Sequence, residues 1–432
     1  MVDFELTEEQ KQIKALIKEF CEREVDFKEL QWIADQCRLA RTVEEVRALF
    51  PKELMKKTHE VGLHQFCVPE KYGGGGFGRY ASVTRAIACE ELGYYMGIGA
   101  RLLCVPWMIL CEMSYPYHTE EQQDWFFTQF MNDPTMCVSD TQSEPEGSSM
   151  GLYEGIGEGY PLKTFAYRDG DEWVINGGKM FSSGGGNSAL LRCSCRTDKT
   201  APVGRAKVNI FVPKDTPGMS YSVNRLLMGE CAGNCQISYD NVRVPVSHQA
   251  EAVGMPNSNM AFLAAKTMVF MDWLGHIRRV YEQIVDYAKQ RMGGGVPIIQ
   301  HSSIAAMLGD VALHIDATRD FAYRVCWEND QREKAGKPLI GYMENGVSYW
   351  VGKTSLLCCE VGHEVYAGLG GSVDLDLEGL VRRTFTWPQK NKTIHAIKYS
   401  MQHNNHIMAC QRAHIAKLKE LGLEELVPPA AR

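Results

Sequence analysis

The chain has 432 residues, enough for two or three domains or subdomains. It is 45% hydrophobic and 23% charged, as in an ordinary globular protein, and its net charge of −7 argues against nucleic acid as the main partner, since phosphate binding wants a basic face. No run of about 18 apolar residues stands out, so no membrane span is expected.

The opening stretch "MVDFELTEEQKQ" lacks the basic and apolar regions of a secretory signal. The fifteen cysteines are scattered and form no C-x-x-C pair. Together these predict reduced, mostly buried thiols in a cytoplasmic protein.

Residues 1–135 read as a helical domain. Thr7 with Gln10 makes a capping box, and Ile13, Leu16, Ile17 and Phe20 follow at helical spacing. A glycine-rich loop, "VPEKYGGGGFGRY", precedes a second, mostly apolar helical stretch. Arg101 lies inside that stretch. A charge among apolar residues must reach water or pair with an anion, because leaving it buried alone is very costly.

Residues 136–250 read as a β domain. "DGDEWVINGGKMF" predicts a strand with turn residues at both sides, and Val208, Ile210 and Val212 alternate as in a half-buried strand. "QISYDNVRVP" predicts two strands with Asp240-Asn241 between them. Residues 251–432 return to helix. Their first long run is apolar on more than one face, which suits the core of a bundle. Ile304, Leu308, Val311 and Ile315 make one stripe on the next helix. The order predicts one cooperative α, β, α unit.

Four stretches invite a chemical reading. "SDTQSEPEGSSMG" (139–151) and "KMFSSGGGNS" (179–188) offer hydroxyls and close backbone approach, although each taken alone favours a plain polar turn. "HNNH" (403–406) puts two histidines on one helical face without a third ligand, which favours solvated or core histidines over a metal. In "WPQKNKTIHAI" (387–397) two lysines flank Asn391 where a helix starts. The macrodipole is positive there, so lysines make sense if an anion binds nearby, with Thr393 as cap and contact.

In order, the motifs resemble the acyl-CoA dehydrogenase family of flavoproteins over nearly the whole chain. "FELTEEQKQIKALIKEF" looks like its opening helix, "VGLHQFCVPEKYGGGG" its P-E-x-Y-G-G loop and "QSEPEGSS" its T-E-P-G-A-G-S-D segment. "DGDEWVINGGKMFSSGG", "YDNVRVP", "HEVYAGLGG" and "LEGLVRRT" are similar to its later signatures. The resemblance implies an α+β fold: an N-terminal helical domain, a central β domain and a C-terminal four-helix bundle. It also implies FAD, an acyl-CoA thioester, an electron-transferring flavoprotein or other electron acceptor, and a homotetramer.

Carried over by position, the resemblance puts Gln142, Ser143, Phe181 and Ser183 at the flavin ring. It puts Arg291, Glu364, Gly368 and Thr393 at the rest of FAD, with Arg291 reaching across a subunit interface. Ser149 falls near the CoA portion. Asn391 stands where the family has its catalytic glutamate. A second position for the base, on the long bundle helix, is Ala265, followed by Lys266 as a substrate contact. Arg101 is placed like an arginine that grips the distal carboxylate of glutaryl-CoA, which implies an acidic acyl group. Tyr94, Tyr95, Trp107 and Met108 either shape a cyclic or aromatic acyl pocket or belong to the core. Three readings follow: an FAD-dependent dehydrogenase acting at the α,β carbons of an acyl-CoA, a non-redox flavin-bound lyase breaking a C–C or C–S bond, and a non-catalytic acyl-CoA-binding relative.

Overall fold

The computed structural model describes residues 5–145, 162–201, 203–250, 257–337, 339, 341–372, 375, 377–386 and 414–422, with side chains in 203–204, 257–269 and 341–342 left aside. The chain opens with helices α1 (Glu8–Glu24), α2 (Phe27–Leu39), α3 (Val43–Ala48), α4 (Lys52–Glu60), α5 (Ser82–Met96), α6 (Arg101–Met113) and α7 (Glu120–Asn132). Local chemistry sets their starts. Thr7–Gln10 and Thr119–Gln122 form reciprocal capping boxes. Asp26 accepts from the Lys28 and Glu29 amides, and Thr42 from that of Glu45.

The sheet comprises β1 (Val138–Thr141), β2 (Phe165–Asp169), β3 (Glu172–Ser183), β4 (Leu190–Arg196), β5 (Lys207–Pro213), β6 (Met219–Val223) and β7 (Asn234–Pro245), with a one-turn helix α8 (Val203–Ala206) before β5. Strands β2, β3, β7 and β6 pair antiparallel in that order. Strand β4 runs parallel to β1 and antiparallel to β5. Its own core gathers Trp173, Ile175, Leu191, Val208, Ile210, Ile237, Val242 and Val244.

The expected break at Asp240-Asn241 is absent, and 234–245 is one strand. Residues 235, 237 and 239 are buried, then 242 and 244. The single extra residue is a bulge: Asn241 takes φ +50°, and its amide donates to Asn176 Oδ1 at 2.9 Å. The bulge shifts the alternation by one, so the apolar residues stay on one face.

Helices α9 (Asn257–Gln290), α10 (Ser302–Lys334) and α11 (Gly341–Tyr366) follow. Beyond them, residues 377–386 and 414–420 are helical. Leu308, Val311 and Ile315 are buried as their stripe predicts. Helix α9 crosses α5 backbone to backbone. A Cβ on Gly93 would come within 1.9 Å of the Asp272 carbonyl, and one on Gly275 within 1.9 Å of the Glu90 carbonyl. Beside this crossing the Glu90 carboxylate receives Arg319, Arg278 and the Tyr323 hydroxyl. Burial pushes the Glu90 carboxyl up, but the two guanidiniums more than offset this and hold it below its ordinary range.

The 32-residue helical stretch Ser82–Met113 is long and apolar enough by composition to cross a membrane, yet its apolar 18-residue window is wholly buried within the protein. Trp107 there donates to the Leu63 carbonyl and stacks on Phe66, so it belongs to the core. Tyr94 donates to Glu282 and lies under the Arg278 guanidinium. Each cysteine among the described residues is buried and free. Helix α2 is braced by Asp35 to Arg382 and Arg383.

Helices and sheet are joined by Arg192 of β4, whose guanidinium pairs with Glu112 of α6 and, at 2.9 Å, with Asp140 of β1. Arg192→Ala leaves two buried carboxylates without their cation. It is expected to lower stability by about 3–5 kcal/mol, read as a fall in the urea midpoint at unchanged slope.

Candidate functional site

The site is built around the end of β3, where a second bulge interrupts the ladder. Lys179 pairs with Ile237 and Ser182 with Cys235, so two residues, Met180 and Phe181, face one. Phe181 takes φ +56° and its side chain is 46% exposed, whereas Lys179 and Ser182 on either side are buried. The bulge turns the ring out of the sheet and aims Ser183 toward the helices.

Gln142 and Ser143 lie against this strand end. The Ser143 carbonyl accepts from the Met180 amide at 2.9 Å, and the Gln142 carbonyl from Lys179 Nζ at 3.4 Å. Lys179 is fully buried and its Nζ lies 2.7 Å from Glu144 Oε1. Glu144 also accepts from the Lys163 and Thr164 amides. Burial pushes its carboxyl up, but Lys179 and these hydrogen bonds bring it below its ordinary value.

Arg101, at the start of α6, is 9% exposed and meets anions of the protein itself. Its Nη1 lies 3.5 Å from Asp272 Oδ2, its Nε 3.7 Å from Glu230 Oε1, and its Nη2 3.5 Å from Ser183 Oγ. Ser183 Oγ donates to Glu230 Oε1 at 3.0 Å, and Asn234 donates to Glu230 Oε2. Asp272 on α9 is 3% exposed, and among the described residues its Oδ1 has no hydrogen-bond partner. Burial raises its pKa to about 7, against the pull of Arg101. A cavity of about 10 Å³, the room of one water, lies beside the cluster between Arg101, Val105, Ser183 and Glu230.

A second group of predicted residues gathers elsewhere. Arg291, Tyr287, Gln290, Gly368 and Leu369 line an open concavity of about 600 Å³. Arg291 Nη1 donates to the Tyr287 hydroxyl at 2.5 Å and to the Tyr366 carbonyl at 3.3 Å. A Cβ on Gly368 would meet nothing within 4 Å, so this wall is open. Glu364 is exposed on α11. Ser149, Asn391, Thr393 and the histidines at 403 and 406 lie outside the described residues, as does the Lys266 side chain.

The structure thus brings Arg101, Gln142, Ser143, Phe181 and Ser183 to one region, and Arg291 with Gly368 to another. Reading the sequence missed Asp272 and Glu230. Asp272 had a signal: it is an acid inside the apolar run "AAKTMVFMDWLG", and so needs a buried partner as Arg101 does.

These residues fit FAD. An aromatic ring 46% exposed beside buried hydroxyl and amide groups suits a flat heterocycle, and an arginine on an open glycine wall suits a pyrophosphate. Lys179→Met, which strands Glu144, is expected to cost about 3–5 kcal/mol at neutral pH. The Glu144 pKa is lowered by folding, so its stabilisation is present above its ordinary value of 4.5 and is lost as pH falls through the folded value. Denaturant midpoints of the two proteins should therefore converge in acid.

Known families and structures resemble this chain along most of its length. The description "Acyl-CoA dehydrogenase, N-terminal domain" matches residues 7–132, and "Acyl-CoA dehydrogenase, C-terminal domain" matches 253–384. The probable acyl-CoA dehydrogenase YngJ of Bacillus subtilis is 24% identical, over 88% of this chain and 93% of its own. The structure of butyryl-CoA dehydrogenase from Megasphaera elsdenii superposes with a TM-score of 0.75 at 21% identity, covering 92% of this chain and 99% of its own. A glutaryl-CoA dehydrogenase from Mycobacterium smegmatis in complex with FADH2 gives 0.71 at 18%, covering 91% and 94%. At these identities the two solved structures speak to the fold.

Proposed function

The chain belongs to the acyl-CoA dehydrogenase family, and from that premise we propose that it is an FAD-dependent oxidoreductase acting at the α and β carbons of an acyl-CoA thioester. The observation that carries this reading is the strand end where Phe181 turns outward and Ser183 inward, beside a buried cluster of one guanidinium and two carboxylates. Bound FAD supplies the two-electron oxidant. Phe181, Gln142, Ser143 and Ser183 would hold its ring, with the Ser183 hydroxyl as a hydrogen-bonding group at the ring edge.

Arg291, Gly368 and Glu364 serve the rest of FAD from a neighbouring copy, with Thr393 at its phosphates. The separation of the two residue groups within one chain supports this arrangement. The exposed Leu313 and Trp327 of α10 and Trp350 of α11 supply apolar surface for a homotetramer. Ser149 and Lys266 bind the CoA ester, and the Asn391 amide steadies the thioester oxygen, an oxyanion-type contact. Electrons leave to an electron-transferring flavoprotein or another acceptor.

The setting of Arg101 bears on the acyl group. Two protein carboxylates lie within 4 Å of its guanidinium. A further carboxylate from the substrate would enter a site whose positive charge is already balanced. This favours an uncharged acyl group over an acidic one. It weighs against the lyase reading, which needs Arg101 free for a substrate acid.

The test is spectroscopic. Purified protein should carry flavin absorbance, and anaerobic butyryl-CoA or a cyclic acyl-CoA should bleach it, whereas glutaryl-CoA should not. A colourless protein, or bleaching by no saturated acyl-CoA, counts against the reading. Arg291→Ala should release FAD on gel filtration while the fold, by circular dichroism, stays intact.

A further inference from the structure

Oxidising a thioester across its α and β carbons requires that a proton leave the α carbon, and a positioned base accelerates this. Asn391 has no side chain suited to the task. We propose that Asp272 is the carboxylate that takes the α-proton, with Arg101 as the residue that positions it. In that step the α C–H bond breaks, its electron pair stays on the thioester as an enolate, and the proton goes to the Asp272 carboxylate. The inference rests on the function proposed above.

Three observations carry it. First, Asp272 cannot drift, because its backbone carbonyl is pressed against Gly93 where α9 crosses α5. Second, its carboxylate is asymmetrically used. Oδ2 faces Arg101 Nη1 at 3.5 Å, while Oδ1 is buried with no hydrogen-bond partner among the described residues. An orphaned buried oxygen costs free energy unless a ligand or a proton completes it. Third, Arg101 links this carboxylate to Ser183, on the strand end assigned to the flavin ring.

The surroundings suit a group that must change charge. Among the described residues, Arg101 and Cys104 of α6, Cys89 of α5 and Glu230 between β6 and β7 are the titratable groups acting on Asp272 from neighbouring elements. His276, one turn further along α9, is kept neutral by burial, its pKa lowered to about 3. Burial raises Asp272 toward neutrality while Arg101 restrains the rise, leaving it near 7, where a base can both accept and return a proton. Folding raises this pKa, so Asp272 favours the native state in acid, and that contribution falls away as pH rises toward 7.

Two measurements on the FAD-bound protein test the assignment. One follows exchange of the α-hydrogens of a bound acyl-CoA with D2O by NMR, which needs no net oxidation. Asp272→Asn should slow exchange by about 10²–10⁴-fold while still retaining FAD and binding acyl-CoA. Undiminished exchange in that variant overturns the proposal. The other is the infrared band of protonated carboxyls in substrate-free protein, read as wild type minus Asp272→Asn, because Glu344 is a second carboxyl pushed up by burial. The difference band should vanish as pH rises through about 7. If Asp272→Asn does not fold, the same titration on Glu344→Gln, which removes the other buried carboxyl, decides: a band that falls through neutral pH supports the proposal, and one that does not change overturns it. The two readings fail separately. Exchange without flavin bleaching sinks the oxidation and keeps Asp272, whereas bleaching that survives in Asp272→Asn together with exchange sinks Asp272 alone.

Discussion

The structure depends on one close contact, the crossing of α5 and α9 at Gly93 and Gly275. Each glycine presses against a carbonyl of the other helix, so the helices meet closer than any side chain allows. Two buried charge clusters are anchored by that meeting. Glu90 contributes its carbonyl to the crossing and its carboxylate to Arg278 and Arg319, tying α5 to α9 and α10. Asp272 does the same from the other helix, with its carbonyl against Gly93 and its carboxylate toward Arg101. Buried ionic groups are favourable only when geometry is held well. The crossing supplies that geometry for both.

The sheet contributes by irregularity. The bulge at Asn241 keeps the apolar face of β7 continuous, and the one at Met180-Phe181 separates a ring turned outward from a serine turned inward. A regular strand would put Phe181 and Ser183 on the same face. Lys179, immediately before the bulge, fixes Glu144 and the loop carrying Gln142 and Ser143. Positions spread over some forty residues of sequence are thereby held around one strand end.

Much of this was legible in the sequence, and the losses have physical causes. Both the opening capping box and the stripe on α10 are local patterns, and both hold. Asp240-Asn241 read as a turn because those residue types tolerate the left-handed backbone that turns need, but a bulge needs it too. Burial phase tells the two apart, and phase is a property of the folded sheet. Arg101 was legible as a charge in need of an anion. Its partners were not, because Asp272 lies 171 residues away and Glu230 sits in an irregular connection. Applying the same rule to every charge in an apolar run would have singled out Asp272 as well.

Phe181 carries a last consequence. A non-glycine residue at φ +56° costs conformational energy, and a large ring left 46% exposed adds apolar surface to water. Glycine would relieve both. A search for thermostable variants of this protein, selecting on melting alone, would be drawn to this position early. It would trade the ring for backbone ease and erode the cofactor site while the fold improved. The position thus marks where tolerance to heat and competence for chemistry pull in opposite directions.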